Sequence, residues 1–139
     1  MASITKWAEG IEELMRSLEL HSYELASRYS ERVATTSNSR SSWLAYWELR
    51  GTNDGVRGMK SDLSDAIGSC MKKTDDVNGF TECLISWLKG YRFNEEFLKE
   101  EYGVCCIRKL KGINETLIRI IDQGNLERLK KVKAQFVLE

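Results

Sequence analysis

The sequence predicts an all-α protein, and three observations carry that reading. Proline is absent from its 139 residues, so no position is barred outright from a helix interior. Apolar residues recur every three or four positions along almost the whole chain, the spacing of one helix face. No stretch shows the strict alternation of a half-buried strand, and there is no internal repeat. A single domain is expected over residues 1–139. A chain of this length buries roughly two thirds of its unfolded surface, enough for a core.

Ile4, Trp7, Ile11, Leu14 and Leu18 form a clear stripe, continued less cleanly by Leu25, Tyr29 and Val33. They predict a first helix over residues 3–32, bent near His21. Residues 35–42, TTSNSRSS, read as a polar loop. Ser42 then reads as the N-cap of a second helix carrying Trp43, Leu44, Trp47 and Leu49. The following stretch, WELRGTNDGVRGMK (residues 47–60), sets local signals against each other. Asn-Asp-Gly is a turn signal, and Gly51, Gly55 and Gly58 are each weak helix formers. The second helix is therefore expected to stop near Asp54, with residues 55–58 as its weak, mobile end. Small residues at Gly51 and Gly55 would let that helix lie close against the rest of the domain.

Met59, Leu63, Ile67 and Cys70 or Met71 predict a short third helix. KKTDD breaks it, and Thr74 or Asp75 is placed to cap a fourth helix carrying Val77, Phe80, Leu84, Trp87 and Leu88. GYRFN reads as a connector. Asn94 reads as the next N-cap, with Glu95 and Glu96 in the first turn, where the helix dipole favours acids. The helix over residues 95–111 contains YGVCCI, apolar on all sides, the mark of a buried helix. Gly112 is expected to separate it from a helix carrying Ile113, Leu117, Ile120 and Ile121. Gly124 and Asn125 read as a C-cap followed by an N-cap, and a last short helix carries Leu126, Leu129 and Val132, with Phe136 near its end. The expectation is a bundle of seven helices around one buried central helix.

Twenty-one basic and twenty-one acidic side chains cancel, which argues against a nucleic-acid binder. The longest uncharged apolar stretch is far too short to span a bilayer, so no integral membrane segment is expected. Glu9, Glu12 and Glu13 interrupt any leader-like pattern. A cytoplasmic protein is expected, with Cys70, Cys83, Cys105 and Cys106 as thiols. No C-x-x-C pair is present and His21 is the single histidine, so neither a metal site nor another cofactor is expected. No phosphate loop, nucleophile elbow or H-E-x-x-H motif occurs. The Asp75-Asp76 and Glu95-Glu96 pairs sit at helix starts, where capping accounts for them. The expectation is not an enzyme but an α-helical recognition module, with a groove that accepts the apolar face of a partner helix.

The order of pieces resembles the Bcl-2 family of apoptosis regulators, whose fold wraps amphipathic helices around a buried one and has a long polar loop after the first helix. The family's third homology motif reads Leu-x-x-x-Gly-Asp. Leu49 to Asp54, LRGTND, resembles it at Leu49 and Asp54, with Asn53 at the small-residue position. YGVCCI followed by Arg108 resembles the family's fifth helix. Where the family carries Asn-Trp-Gly-Arg, this chain has Arg92-Phe93-Asn94-Glu95, and only the aromatic is kept. Residues 120–126, IIDQGNL, stand where the second homology motif would be, with one Gly and no Trp. Small divergent members are typical of large DNA viruses, so the resemblance implies a viral protein, from an iridovirus for instance.

What the resemblance implies is an inhibitor of apoptosis that sequesters the amphipathic homology-three helix of pro-apoptotic Bcl-2 proteins. Its groove would be lined by Leu63, Ile67, Phe80, Leu84, Trp87, Arg92, Phe93 and Asn94. Glu95 stands where the family has the Arg that pairs with the ligand's Asp, so Arg92 is expected to supply the pairing. Peripheral association with mitochondria and a homodimer that covers the apolar groove are further expectations. The competing reading is a helical adaptor, Bcl-2-like or unrelated, that binds a host signalling protein without regulating apoptosis.

Overall fold

Two long helices laid side by side form one wall of the protein. The computed structural model describes residues 3–36, 40–123, 126–132 and 137–138. Among them it contains α1 (Ile4–Thr36), α2 (Arg40–Lys73), α3 (Val77–Gly90), α4 (Glu95–Tyr102), α5 (Val104–Asp122) and α6 (Leu126–Lys131). The described residues are thus all-helical, in six helices. The cap expected at residues 124–125 and the position of Phe136 lie outside them.

The α1 stripe is as read from the sequence: Trp7, Ile11, Leu14 and Leu18, with Met15, are all buried. Ser3 caps the helix, its Oγ accepting from the Lys6 amide at 3.2 Å. α1 runs on without a break at His21 to Thr36, and α2 starts already at Arg40. Most of the expected polar loop is therefore helical, and its residues 37–39 lie outside the described set. Ser42 lies inside α2 rather than capping it.

The largest departure is α2. It passes through residues 55–58 without stopping and joins the expected second and third helices into one of 34 residues. The reason is packing on both sides of the weak segment. Val56, Met59, Leu63 and Ile67 continue a single buried stripe. The small residues meet their neighbours directly. A Cβ on Gly51 would stand 2.8 Å from the Cβ atoms of Tyr102 and Cys106, and one on Gly55 would stand 2.7 Å from Leu110 Cδ2. Gly58 faces open space. Tertiary contact thus overrides a helix-propensity cost of about 1 kcal/mol per glycine. The other end of α2 is less buried than its apolar sequence suggests, with Trp43, Leu44 and Trp47 all exposed.

α3 is capped by Asp76 rather than by Thr74 or Asp75. Asp76 Oδ2 accepts from the Gly79 amide at 3.2 Å, while Thr74 Oγ1 accepts from the Asp76 amide at 3.1 Å. Phe80, Leu84 and Leu88 face the core. Asn94 precedes α4 as expected, but its side chain makes no capping bond.

The helix expected over residues 95–111 is two helices. Gly103, at φ 93°, occupies backbone that favours glycine, ends α4 and starts α5 in a new direction. YGVCCI is not buried all round, since Val104 is 52% exposed and Cys105 lies at the surface. Gly112, expected as a separator, lies inside α5. Leu110 and Ile113 on either side of it are buried and hold the helix continuous. α5 packs against α2, α3, α4 and α6. Its inner face carries Cys106, Ile107, Leu110, Ile113, Leu117, Ile120 and Ile121, and its outer face is charged.

Cys70 and Cys83, expected as thiols, form a disulfide that ties the end of α2 to α3 across a sequence separation of 13. Cys105 and Cys106 are free.

Two outcomes follow for stability. Gly51→Ala is expected to destabilise by about 1–2 kcal/mol, because overpacking outweighs the gain in helix propensity, whereas Gly58→Ala stabilises by about 0.5–1 kcal/mol. Denaturant titration decides, and equal shifts for the two would contradict the close approach. Removing the bridge with Cys70→Ser and Cys83→Ser together is expected to cost about 3 kcal/mol, the loop-closure value for a link of this length. Reductant should lower the parent's midpoint and leave the double variant's unchanged.

Candidate ligand cleft

A cleft of about 970 Å³ runs along the middle of α2. α1 forms one bank. The connector at residues 91–94 and the start of α4 form the other. Met15, Leu63 and Ile67 reach it from the floor, with Phe93 and Leu98 opposite. All five are buried, so the cleft exposes little apolar surface in this state. Phe97 on the rim is the exception, at 48% exposed.

The banks are polar and their charges are mostly spoken for. Glu19 on α1 pairs with Lys60 at 2.5 Å and with Arg57 at 3.6 Å. Ser64 donates to Glu12 at 3.3 Å. A buried polar knot lies beside them: Asn53 Nδ2 donates to Ser22 Oγ at 2.8 Å and to the Glu19 carbonyl at 3.2 Å. Such a group costs about 1–3 kcal/mol if left unpaired in a core, so the knot fixes the register of α1 on α2.

Two phenols reach α2 from the other bank. Tyr91 donates to Asp62 Oδ2 at 2.7 Å, and Tyr102 donates to Asp54 Oδ2. Burial, then the hydrogen bond to Asp54, pushes the Tyr102 phenol up to about 12. Burial and Asp62 push the Tyr91 phenol up as well. Both phenols therefore stay protonated donors under ordinary conditions.

The cleft brings together Leu63, Ile67, Arg92, Phe93 and Asn94 of the sequence-predicted groove, with Asp54 at one end. Phe80 and Leu84 do not join them. They are buried in the core and are not among the residues that line this cleft. Trp87 is half-buried and stacks on Tyr91 at 4.8 Å, which in turn meets Phe93 edge-on at 4.9 Å. Leu49 is half-buried outside the cleft, and Asn53 is turned to α1. Arg92 is exposed and has no ion pair among the described residues. Glu95 faces away from the cleft, toward Lys111 at 3.6 Å and Lys99 at 4.0 Å. Sequence reasoning missed Tyr91, Tyr102 and Glu19. The two tyrosines flank the Phe93–Leu98 segment, but their partners are far away in sequence.

Among the described residues no group of three His, Cys, Asp or Glu is placed to hold a metal ion, and no helix is long and apolar enough to cross a membrane. No family model, curated protein or solved structure matches the chain. The fold and the cleft define a helical bundle with a covered apolar trough.

The vicinal cysteines near the far end of α4 differ sharply. Cys105 is exposed, whereas burial pushes the Cys106 thiol up to about 11. Near pH 8, only about one Cys106 in a thousand is then a thiolate. A maleimide should label one thiol per native chain and two in denaturant without reductant. Two labels on the native chain would contradict the packing of Cys106.

Proposed function

We propose that the protein is a helix-binding module that takes the apolar face of an amphipathic helix along the α2 cleft. Its specific role in this reading is that of a divergent, viral Bcl-2-like inhibitor of apoptosis, and its ligands are the homology-three helices of pro-apoptotic Bcl-2 proteins. The observation that carries the reading is the convergence of Leu63, Ile67, Arg92, Phe93 and Asn94 on one cleft. Apolar anchors in a helix-lined trough, with Arg92 among the cations that line it, are what an amphipathic helix carrying an acid requires. The motif-like Leu49, Asn53 and Asp54 add the resemblance described above. In a reducing host cytosol Cys70 and Cys83 would be a dithiol, and the reduced protein is then the working form there. Association with mitochondria is peripheral in this reading.

The adaptor reading gains from a separate observation. Phe80 and Leu84 do not line the cleft, which leaves two of the anchors expected for a death-promoting helix outside it. A folded protein that binds none of a panel of homology-three peptides would decide for the adaptor.

Arg92→Ala is expected to weaken peptide binding about tenfold, the loss of one rim ion pair. Glu95→Ala is expected to leave it unchanged, because Glu95 is turned toward Lys111 and Lys99. Calorimetric titration of both against one peptide tests this, and parent-like affinity for Arg92→Ala sinks the proposed pairing.

A further inference from the structure

The residues that should meet a ligand helix are covered by the chain itself. Residues 91–102 cross α2 and put Phe93 and Leu98 onto the trough that Met15, Leu63 and Ile67 floor. Few side chains of α4 itself are buried in this cover, and Glu95 ties it to Lys111 of α5. Leu98 is the single buried residue of α4, and most of the helix faces solvent. It is pinned to α2 at its two ends, by Tyr91 on Asp62 and by Tyr102 on Asp54. The two carboxylates stand about 12 Å apart along α2, so the pins hold the strap at two separated points, with Leu63 and Ile67 following the second of them. At the far end the chain turns at Gly103, whose φ of 93° marks the joint with α5. α5 beyond it is anchored by seven buried side chains. Segments with few buried contacts open at lower cost than the core they lie on.

We propose that residues 91–102 form a hinged strap, latched by Tyr91 and Tyr102, that occupies the apolar trough and lifts to admit a ligand helix. The ligand side of this inference rests on the reading under Proposed function; the latch itself stands on the geometry alone. Phe93 and Leu98 act as stand-ins for the ligand's apolar residues. While the strap is down, the apparent affinity falls by the fraction of molecules that are open. Phe97 and Arg92 remain outside on the rim, where an arriving helix meets them first.

The test is the double variant Tyr91→Phe, Tyr102→Phe, which keeps both rings and their packing and removes only the two hydroxyls. Hydrogen exchange of the full-length protein is read separately for α4 and for α5. The expected result is α4 exchange faster by about tenfold or more, with the amides of residues 110–121 unchanged. Unchanged α4 exchange, or equal acceleration of both helices, overturns the latch. Affinity for a homology-three peptide is read in parallel and should tighten by a similar factor. If the parent binds the peptide and the variant, with faster α4 exchange, binds no tighter, the strap is not a gate. If α4 is released but neither protein binds any peptide, the latch stands and the reading under Proposed function falls.

Discussion

At Gly51 and Gly55 the backbone of α2 lies against Tyr102, Cys106 and Leu110 with no room for a methyl group on either glycine. One turn of helix separates the two, so they present a single flat strip. That strip sets the distance between α2 and the α4–α5 joint. With the distance set, Leu110 reaches full burial and Tyr102 comes within bonding range of Asp54. A bulkier residue at either position would push the helices apart and thin the whole interior, because packed cores transmit displacement instead of absorbing it.

Around that strip α2 divides its loyalties by face. Asn53 faces α1, where Ser22 and the Glu19 carbonyl satisfy its amide nitrogen. Its neighbour Asp54 faces the other way, toward Tyr102. Consecutive residues of one helix thus fasten it to two different partners, one buried and strict, the other closer to solvent. Met59, Leu63 and Ile67 between and below them complete the interior. The protein is built outward from α2, and the cleft lies where α1 and α4 fail to meet across it.

Much of this was legible in the sequence where periodicity is strong and local. The α1 stripe, the α3 stripe and the start of α4 after Asn94 all stand as read. The joining of two expected helices into α2 was not legible, because a turn signal is local and the contacts that overrule it come from residues about fifty positions away. Gly103 and Gly112 make the same point as a pair. Each interrupts an apolar run, yet one ends a helix and the other does not. The difference lies in what flanks them: Leu110 and Ile113 are both buried around Gly112, whereas Val104 beside Gly103 is exposed. For the cleft, the apolar character of Leu63, Ile67 and Phe93 was readable, but spacing alone does not separate a lining residue from a sealed one. Phe80 and Leu84 are buried away from the cleft lining, whereas Leu63, Ile67 and Phe93, equally buried, line it. The bonds from Tyr91 and Tyr102 span 29 and 48 residues and leave no trace in a local pattern.

The length of α2 has a mechanical consequence. Its 34 residues extend about 51 Å, whereas a compact sphere of 139 residues is only about 37 Å across. The helix outruns the interior it serves, and the excess falls at the end where Trp43 and Leu44 stand in solvent. Thermal fluctuation should therefore be graded along one continuous helix, large at that tip and damped where the glycine strip and the Cys70–Cys83 bridge clamp it. A single rod that is soft at one end and stiff at the other gives the molecule a built-in polarity, independent of anything it binds.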